Sequence, residues 1–550
     1  MKKIVFLIIA TLLVLGLVLP GCGDGNGDEF ENWIDIGVVC PMSVAHGQQQ
    51  WLCAQWAAEE INAAGGVDIT AGVHGIRVTK INTLTEEVPD LAQAALQAVI
   101  DDVDYIVGGF RTETVFPLVE TTMDEQKLFL IAGAATANVL RLVAWNNTRY
   151  QYVFRGTPFN DVFLLTNMYK FMGGLAKILS AHGVAPPYEL AVIAEELDWT
   201  VTMRHILETD MLGKQAMLGF TNATVTSVSA LSTSLASELQ AIATGTDPVL
   251  IMPILSAAAT GAAYSSQRPT YLPNAISFGI NVFSQLAIGW PMTSGLVEGE
   301  MFLDTYGEGC NITTKTAPFL SGFASRSTLS SGDYPMYTST VYDIIKGLAA
   351  DIDAADSLDC DDLVTQLRSG RFYPTAGAPN AGYYPMPATT LVPGSDYATK
   401  VMALSASQAY ALYPHLVEYY NALGKGPYAD YAAMAANWMS DELYKDWTSN
   451  PGGMVPNDLI YGPGYTTGLI TQWQDDAGTG KKVSVWPSVP AGLEGLAGLT
   501  AQQIFAYNAT TFNYLVGLGV IDQYGSWIID YPGTLPIELD TSIFTHHGGS

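Results

Sequence analysis

The segment YIVGGFRTETVFP, residues 105–117, contains residue types that can hold an anion. Its apolar run ends in Gly108 and Gly109, and Arg111 and Thr112 follow directly before a predicted helix. The first N–H groups of a helix have no partner within that helix, and this end carries a partial positive charge. Together with the Thr112 hydroxyl, they could bind a phosphate or a ligand carboxylate. The simpler alternative is that Thr112 is only the N-cap of the helix.

The overall composition limits the class of protein. The chain has 550 residues, of which 49% are apolar and 14% are charged, as in a well-packed globular protein. This length exceeds that of one ordinary core, so two or more lobes are expected. The 53 acidic and 24 basic side chains give a formal net charge of −29, which disfavours a role in nucleic-acid binding.

The N-terminal residues have the pattern of an export signal. The basic start MKK leads into the apolar run IVFLIIATLLVLGLVLP, and the tetrapeptide LPGC resembles the lipobox of bacterial lipoproteins. We interpret residues 1–21 as a lipoprotein signal peptide and Cys22 as the lipidated residue. Residues 22–33, rich in Gly and Asp, are interpreted as a flexible tether. This would place the protein outside the cytoplasm, anchored to the outer face of the cell membrane or in the periplasm.

Four further cysteines remain in the predicted mature chain. An even number in an exported protein permits disulfides, and proximity in sequence suggests the pairs Cys40–Cys53 and Cys310–Cys360. The alternative is that all four are free thiols. The sequence contains no Cys-x-x-Cys spacing, so no zinc site of that kind is predicted.

Apolar strands alternate with amphipathic helices from residue 34 onward. IDIGVVCP, IRVTKI and VDYIVGG are predicted strands, GQQQWLCAQWAAEEINAAGG is a predicted helix, and a second such series follows YVFRGTPFND. This alternation predicts an α/β fold with parallel sheets covered by helices on both faces. Near the C-terminus, GYTTGLITQWQ and KKVSVWP flank DDAGTG, which predicts a β-hairpin.

These motifs resemble the type I periplasmic solute-binding proteins of ABC importers, specifically the branched-chain amino acid (Leu/Ile/Val) receptor group. The shared pattern is a strand ending in Gly-x-x-x-Pro, a helix ending in Glu-Ile-Asn-x-x-Gly-Gly, and a third strand ending in a Gly pair. The resemblance covers residues 34–370 and the hairpin near 461–487. It implies two doubly wound, Rossmann-like lobes that are joined by three hinge strands and close on a ligand.

The resemblance also divides the chain. Crossings between the lobes are expected near 155–158, near 279–283 and after 370. The expected parts are lobe 1 (34–156 plus 282–370), lobe 2 (157–281 plus 452–487), an insertion (371–451) and a C-terminal extension of unknown role (488–550).

Such receptors capture a small solute and deliver it to a membrane permease without chemical change. The resemblance therefore implies an amino acid, an amide or a similar carboxylate-bearing ligand, an ABC permease as partner, a monomeric state and no cofactor. A receptor of the same fold that docks on a signalling partner is the alternative. An exported hydrolase is a remote one, because the sequence contains neither His-Glu-x-x-His nor Gly-x-Ser-x-Gly.

Residues of the first lobe are assigned to the ligand carboxylate. The resemblance places Thr112 at the hydroxyl position that anchors this group. It also matches Ala134, Ala135 and Thr136 to the segment whose backbone and hydroxyl complete the site. Arg111, beside Thr112, could form a bidentate pair with a carboxylate or pair instead with a surface acid.

Two further contacts are expected at the cleft. Trp199 takes the position of an aromatic residue that covers the ligand, although a half-buried surface tryptophan is an equal alternative. Ser43 follows the first strand in a loop that is expected to face the cleft.

One departure from the family bears on the ligand. Amino-acid receptors hold the ligand ammonium with an acidic side chain near the second crossing, but residues 275–283 contain no acid. Asn281 could offer only a neutral amide oxygen, and a buried ammonium without a charged partner is costly. Tyr264 could instead line an aromatic or amide-binding pocket, while Glu195 could supply the missing charge from another strand.

Overall fold

The structure is a computed structural model that describes most of the chain up to residue 369 and three short segments beyond it. The described residues are 30–84, 86, 88–157, 160–209, 219–221, 223–304, 316–327, 334–369, 457–458, 469–486 and 539–549. The predicted signal peptide, residues 22–29 of the tether including Cys22, the insertion 371–451 and most of the extension 488–550 lie outside them. Among the described helices, none is both long enough and apolar enough to cross a membrane.

The strands form two sheets. They are β1 (Asn32–Cys40), β2 (Val67–Ile69), β3 (Gly72–Asn82), β4 (Tyr105–Gly108), β5 (Phe129–Ile131), β6 (Val153–Arg155), β7 (Leu190–Glu195), β8 (Thr224–Val228), β9 (Leu250–Leu255), β10 (Ile276–Asn281), β11 (Met301–Asp304), β12 (Leu469–Asp476) and β13 (Thr479–Trp486). The first sheet has the order β2-β3-β1-β4-β5-β6 and the second the order β13-β12-β11-β10-β9-β7-β8.

The helices lie between these strands. They are α1 (Ala45–Ala63), α2 (Pro89–Gln97), α3 (Thr112–Asp124), α4 (Asn138–Trp145), α5 (Asn147–Tyr150), α6 (Asp161–Ala181), α7 (Asp198–Thr209), α8 (Ala236–Gly245), α9 (Ala258–Tyr271), α10 (Gly289–Thr293), α11 (Thr316–Arg326), α12 (Val341–Ala355), α13 (Cys360–Ser369) and α14 (Thr541–His546). Short 3₁₀ helices occur at Ile100–Asp102, Phe283–Gln285 and Tyr337–Thr340.

The first lobe surrounds the six-stranded sheet. Strand β1 pairs in parallel with both β3 and β4, so it is central and buried on both faces, which explains its near-continuous apolar sequence. The predicted apolar face of α1, with Ala54, Ala57 and Ile61, packs in the core beneath this sheet. Helices α12 and α13 return to the same core late in the chain.

The second lobe is larger than predicted, because it keeps one more strand. Strand β11 pairs in parallel with β10, with Met301 opposite Phe278. The predicted boundary at residue 282 is therefore wrong, and the chain leaves this sheet only after Asp304. Phe319 and Phe323 of α11 then pack on Trp56 of lobe 1.

The predicted hairpin is present and closes the second sheet. Strands β12 and β13 pair antiparallel around a tight turn at Ala477 and Gly478, both of which have positive φ. Strand β12 in turn pairs antiparallel with β11. A segment from beyond residue 450 thus completes lobe 2, as the resemblance implied.

The predicted disulfide between Cys40 and Cys53 is wrong. Both side chains are buried free thiols, one at the end of β1 and the other in α1 against Trp56 and Phe319. Burial raises the pKa of each thiol to about 12, so neither is a reactive thiolate. Cys360 is also free, and Cys310 lies outside the described residues.

Part of the C-terminal extension packs on lobe 2. The ring of Phe544 in α14 stacks on His182 with centroids 4.0 Å apart, and Ile543 beside it is buried. His546 Nε2 lies 3.2 Å from a carboxylate oxygen of Asp247. Residues 539–549 therefore form a docked helical segment.

A buried ion pair joins the later chain to lobe 1. The guanidinium of Arg155, at the end of β6, binds both carboxylate oxygens of Asp458, and its Nε lies 2.9 Å from one of them. Both side chains are almost fully buried. Asn457 beside this pair donates from its amide to the carbonyls of Gln151 and Val153.

Replacing Asp458 should therefore destabilise the protein strongly. We expect Asp458→Asn to lower the free energy of unfolding by about 3–5 kcal/mol, because it leaves a buried guanidinium without its anion. Glu120→Gln is the control, since the Arg149–Glu120 pair is exposed and its loss should cost less than about 1 kcal/mol. Urea denaturation of both variants measures this, and equal, small losses would contradict the structural role of Asp458.

Candidate functional site

A cavity of about 40 Å³ lies between the two lobes, at the carboxyl ends of their parallel strands. This is where open α/β sheets bind ligands. Its lining residues are Phe110, Arg111, Thr112 and Ala135 of lobe 1; Thr157, Leu164, Trp199, Ser256, Ile280, Val282, Gln285 and Leu303 from the first crossing and lobe 2; and Tyr337.

Thr112 begins helix α3 and lines the cavity. The N-cap of this helix is Arg111, so Thr112 is not the cap. Thr112 is fully buried, and its Oγ1 has no hydrogen-bond partner among the described residues. A ligand that accepts a hydrogen bond here would relieve this deficit.

A protein carboxylate already occupies part of the predicted anion site. The backbone N–H of Arg111 donates to Glu86 Oε2 at 3.1 Å, and the Thr114 hydroxyl donates to the same oxygen at 2.7 Å. Glu86 is itself buried. This contact could not be predicted from the sequence, because Glu86 lies in a loop 25 residues before Arg111.

Aromatic rings form one wall. Phe110 stacks on His46 with ring centroids 3.7 Å apart and faces Tyr337 at 5.8 Å. Burial, aided by the nearby charge of Arg111, lowers the pKa of His46 to about 3. His46 is therefore neutral and adds a flat ring behind Phe110 rather than a positive charge.

Trp199 faces the same cavity from the second lobe. It lies at the start of α7, is buried, and its indole Nε1 has no hydrogen-bond partner in the described part of the chain. Beside it, the backbone N–H of Asp198 donates to Glu113 Oε1 at 2.7 Å. This bond joins the lobes directly, because Glu113, next to Thr112, belongs to lobe 1 and Asp198, next to Trp199, belongs to lobe 2.

The predicted charge from Glu195 is wrong. Its carboxylate is fully buried and accepts hydrogen bonds from the Ser256 N–H at 2.8 Å, the Ser256 hydroxyl at 2.6 Å and the Ala257 N–H at 2.7 Å. Glu195 thus satisfies the start of helix α9 and does not line the cavity. Glu195 reaches these groups because it ends strand β7, which pairs with β9 in the sheet.

The predicted contacts of Asn281 and Tyr264 are also wrong. The Asn281 amide donates to Glu300 Oε1 at 2.7 Å and to Ser265 Oγ at 3.0 Å. The Tyr264 hydroxyl lies 2.8 Å from Ser277 Oγ, within the core of lobe 2. Burial raises the pKa of Glu300. These side chains satisfy one another inside the lobe, away from the cavity.

Gln285 is a lining residue that the sequence did not reveal. Its Nε2 donates to the Leu303 carbonyl at 2.9 Å. Lys482 of β13 donates to the Gln285 carbonyl at 2.5 Å and to Asp304 Oδ2 at 2.9 Å. Because the Lys482–Asp304 pair is almost fully buried, it holds the backbone carbonyl of Gln285 in place.

The remaining predicted residues divide between the cavity and the structure behind it. Ala135 lines the cavity, whereas the carbonyls of Ala134 and Thr136 accept hydrogen bonds from Arg155. The Thr136 hydroxyl accepts from the Asn138 N–H at the start of α4. Ser43 is exposed and its hydroxyl donates to the Leu84 carbonyl, so its predicted place in the cleft is wrong.

The structure thus brings Arg111, Thr112, Ala135 and Trp199 together around one cavity, while their contact with a ligand stays a prediction. Thr157 was missed, although its position within the first crossing was a usable signal. Gln285 lies two residues beyond the segment 275–283, where the family's acidic residue would be expected.

Several lining residues share one property. Apart from Arg111, whose backbone N–H is paired with Glu86, four of them each have one buried polar atom with no hydrogen-bond partner within the described residues: Thr112 Oγ1, Thr157 Oγ1, Trp199 Nε1 and Gln285 Oε1. Buried polar groups are nearly always paired in native proteins. Their convergence on one cavity indicates a ligand with complementary groups.

Comparison with known proteins supports the predicted resemblance. Residues 34–178 match the model of the periplasmic binding protein family. No curated protein sequence matches the chain.

Among solved structures, the chain is similar to a solute-binding protein of an ABC transporter from Rhodopseudomonas palustris BisB5 in complex with 3,4-dihydroxybenzoic acid. The TM-score is 0.52 at 13% identity, over 82% of this chain and 96% of that one. An ABC transporter substrate-binding protein from Sphaerobacter thermophilus gives a TM-score of 0.52 at 14% identity, with the same coverage of 82% and 96%.

The branched-chain amino acid transporter substrate-binding protein LivJ from Streptococcus pneumoniae, in complex with isoleucine, gives a TM-score of 0.50 at 15% identity. It covers 64% of this chain and 96% of its own. Identities this low compare the fold alone. The family match over residues 34–178 and the fold confirm the predicted two-lobed α/β fold of the type I periplasmic binding proteins.

The contact between the lobes should respond to pH. Burial and the charge of Asp198 raise the pKa of Glu113 in the structure. An acid with a raised folded-state pKa favours the fold at low pH, and that contribution is lost as the pH rises through the folded pKa. We therefore expect Glu113→Gln to raise the melting temperature at pH 8, with a difference that shrinks towards pH 5. Melting curves across this range measure it, and a difference independent of pH would contradict the assignment.

Proposed function

We propose that this protein is an extracytoplasmic, lipid-anchored receptor that captures a small carboxylate-bearing solute between its lobes and delivers it to the permease of an ABC importer. The observation that carries the proposal is the set of buried, unpaired polar atoms around one interlobe cavity. The family match and the fold agree with a binding role. The anchor rests on the LPGC motif and Cys22.

The unpaired atoms favour a carboxylate. Thr112 and Thr157 each offer a hydroxyl donor, and Trp199 offers an indole N–H, which can only donate. Hydrogen bonds to an ionised acceptor are roughly twice as strong as neutral ones. A carboxylate has two oxygens that can accept all three bonds.

The charges around the cavity disfavour an α-amino acid. No residue of the described lining carries a carboxylate. Two buried acids that contact lining residues are committed to the fold: Glu86 to Arg111 and Thr114, and Glu195 to the start of α9. Since a buried ammonium without a counter-charge is costly, we propose a carboxylate ligand that lacks a cationic group.

Two features of the described structure suit capture by closure of the lobes. Phe110 of lobe 1 packs with Val282 and Leu286 of lobe 2, so the lobes meet through an apolar contact near the cavity. The Glu113–Asp198 hydrogen bond joins the N-terminal ends of α3 and α7. Both contacts would form and break as the hinge strands bend.

Removing the Thr112 hydroxyl should weaken carboxylate binding. We expect Thr112→Val to reduce affinity about 10- to 150-fold, which corresponds to roughly 1.5–3 kcal/mol for a hydrogen bond to a charged group. Thr122→Val in the same helix is the matched control, because that buried hydroxyl donates to the Leu118 carbonyl. Isothermal titration calorimetry decides, and an unchanged affinity in Thr112→Val would remove Thr112 from the site.

The proposed ligand class is tested with pairs that differ only in the amino group. We expect 3-phenylpropanoate to bind more tightly than phenylalanine, and 4-methylpentanoate more tightly than leucine, by about 10-fold or more. Thermal-shift assays followed by calorimetry measure the ratios. Equal or tighter binding of both amino acids would contradict the absence of an ammonium partner.

A further inference from the structure

We infer that Gln285 selects a ligand that carries a neutral hydrogen-bond donor, most simply a hydroxyl group, in addition to its carboxylate. This inference rests on the proposed function and names the ligand class more closely. It starts from a single atom, Gln285 Oε1, which is buried, belongs to a cavity-lining residue and has no hydrogen-bond partner in the described part of the chain.

The orientation of this amide is fixed by its neighbour. Gln285 Nε2 lies 2.9 Å from the Leu303 carbonyl oxygen, which can only accept a hydrogen bond. Turning the amide over would place two acceptors against each other. Oε1 is therefore the atom left for the cavity side, and it is an acceptor that requires a donor.

The backbone of Gln285 is fixed as well. Lys482 donates to the Gln285 carbonyl and pairs with Asp304, and both charged groups are almost fully buried. The side chain is thus attached to a backbone segment that a buried ion pair holds in place, and its amide is held by the Leu303 carbonyl. A site with fixed geometry discriminates between ligands, because a mismatched ligand leaves its polar atom unpaired.

Gln285 differs in kind from the other unpaired atoms of the lining. Thr112, Thr157 and Trp199 supply donors, and Thr112 and Trp199 lie beside the Glu113–Asp198 contact between the lobes. Gln285 supplies an acceptor and is held by strands β11 and β13. The lining therefore matches a molecule with an acceptor group and a separate donor group.

The charge of that donor follows from its surroundings. Asp304, the acid next to Leu303, is paired with Lys482, whose ammonium lies against the Gln285 carbonyl. A cationic donor on the ligand would find no carboxylate in the described lining, which carries the guanidinium of Arg111 instead. A hydroxyl satisfies Oε1 without that repulsion.

The inference is tested with sets of carboxylates that differ at one position. The first set is hexanoate, 6-hydroxyhexanoate and 6-aminohexanoate, and the second is 3-phenylpropanoate and 3-(4-hydroxyphenyl)propanoate. Binding to the wild-type protein is measured by calorimetry. In whichever set binds, we expect the affinity for the hydroxylated acid to exceed the affinity for its parent acid by about 10-fold or more. The amino acid of the first set should bind more weakly than the hydroxy acid.

Gln285→Met supplies the decisive comparison. It keeps the length of the side chain and removes the acceptor, so the ratio of hydroxylated to parent acid should fall to about 1 or below, while the parent acid still binds. Gln472→Met is the matched control, because Gln472 is fully buried in lobe 2 and does not line the cavity. If Gln285→Met does not fold, Gln285→Asn, which withdraws the amide by one methylene, is expected to lower the same ratio.

The outcomes separate this inference from the proposed function. Binding of parent and hydroxylated acids with equal affinity, as when a water satisfies Oε1, would overturn the role of Gln285 and leave the carboxylate receptor intact. The role of Gln285 would also be overturned if the ratio of the affinities for hydroxylated and parent acids were unchanged in Gln285→Met. Tighter binding of 6-aminohexanoate than of 6-hydroxyhexanoate would overturn it as well. If neither these acids nor other small carboxylates bind at all, the proposed function itself fails.

Discussion

The site depends most on the guanidinium of Arg155, which lies where the chain first leaves lobe 1. This side chain is fully buried and binds the Asp458 carboxylate and the carbonyls of Ala134 and Thr136. It therefore fixes the loop that carries Ala135, the start of the crossing that carries Thr157, and a segment from the far end of the chain. Assembling a buried ion pair brings little net stability, but it restricts the arrangement of the groups it joins. Here it restricts the geometry of one side of the cavity.

A second constraint concerns the acids near the cavity. Glu86, Glu195 and Asp304 are all buried close to lining residues, and each is engaged by groups of the fold. What the described lining offers to a ligand is a set of donors and one amide oxygen. The protein thus presents a neutral to positive interior within a chain of strongly negative net charge. The overall charge of −29 gives no hint of this local pattern.

Much of the fold followed from the sequence. The βα alternation, the packed face of α1 and the hairpin of β12 and β13 were all evident from local periodicity and turn residues. The position of the lobe boundary was not evident from these local signals. The first three residues of β11 are apolar and would suit either sheet, and only the pairing of Met301 with Phe278 assigns the strand to lobe 2.

The site was harder to predict, because burial and strand register decide which way a side chain points. Thr112 and Trp199, which the sequence analysis assigned through the resemblance, both line the cavity. Asn281 faces Glu300, an acid that lies 19 residues later in sequence and that no local pattern links to it. Gln285 owes its place to a short 3₁₀ helix and to Lys482, which is almost 200 residues away. Sequence proximity likewise gave no guide to the thiols of Cys40 and Cys53.

The most direct test of the central claim is a crystal structure of the protein with a bound carboxylate. The account predicts the carboxylate in the interlobe cavity, with its oxygens within hydrogen-bond distance of Thr112 Oγ1, Thr157 Oγ1 and Trp199 Nε1. Electron density for the ligand elsewhere, or in the cavity with its carboxylate turned away from all three donors, would contradict it.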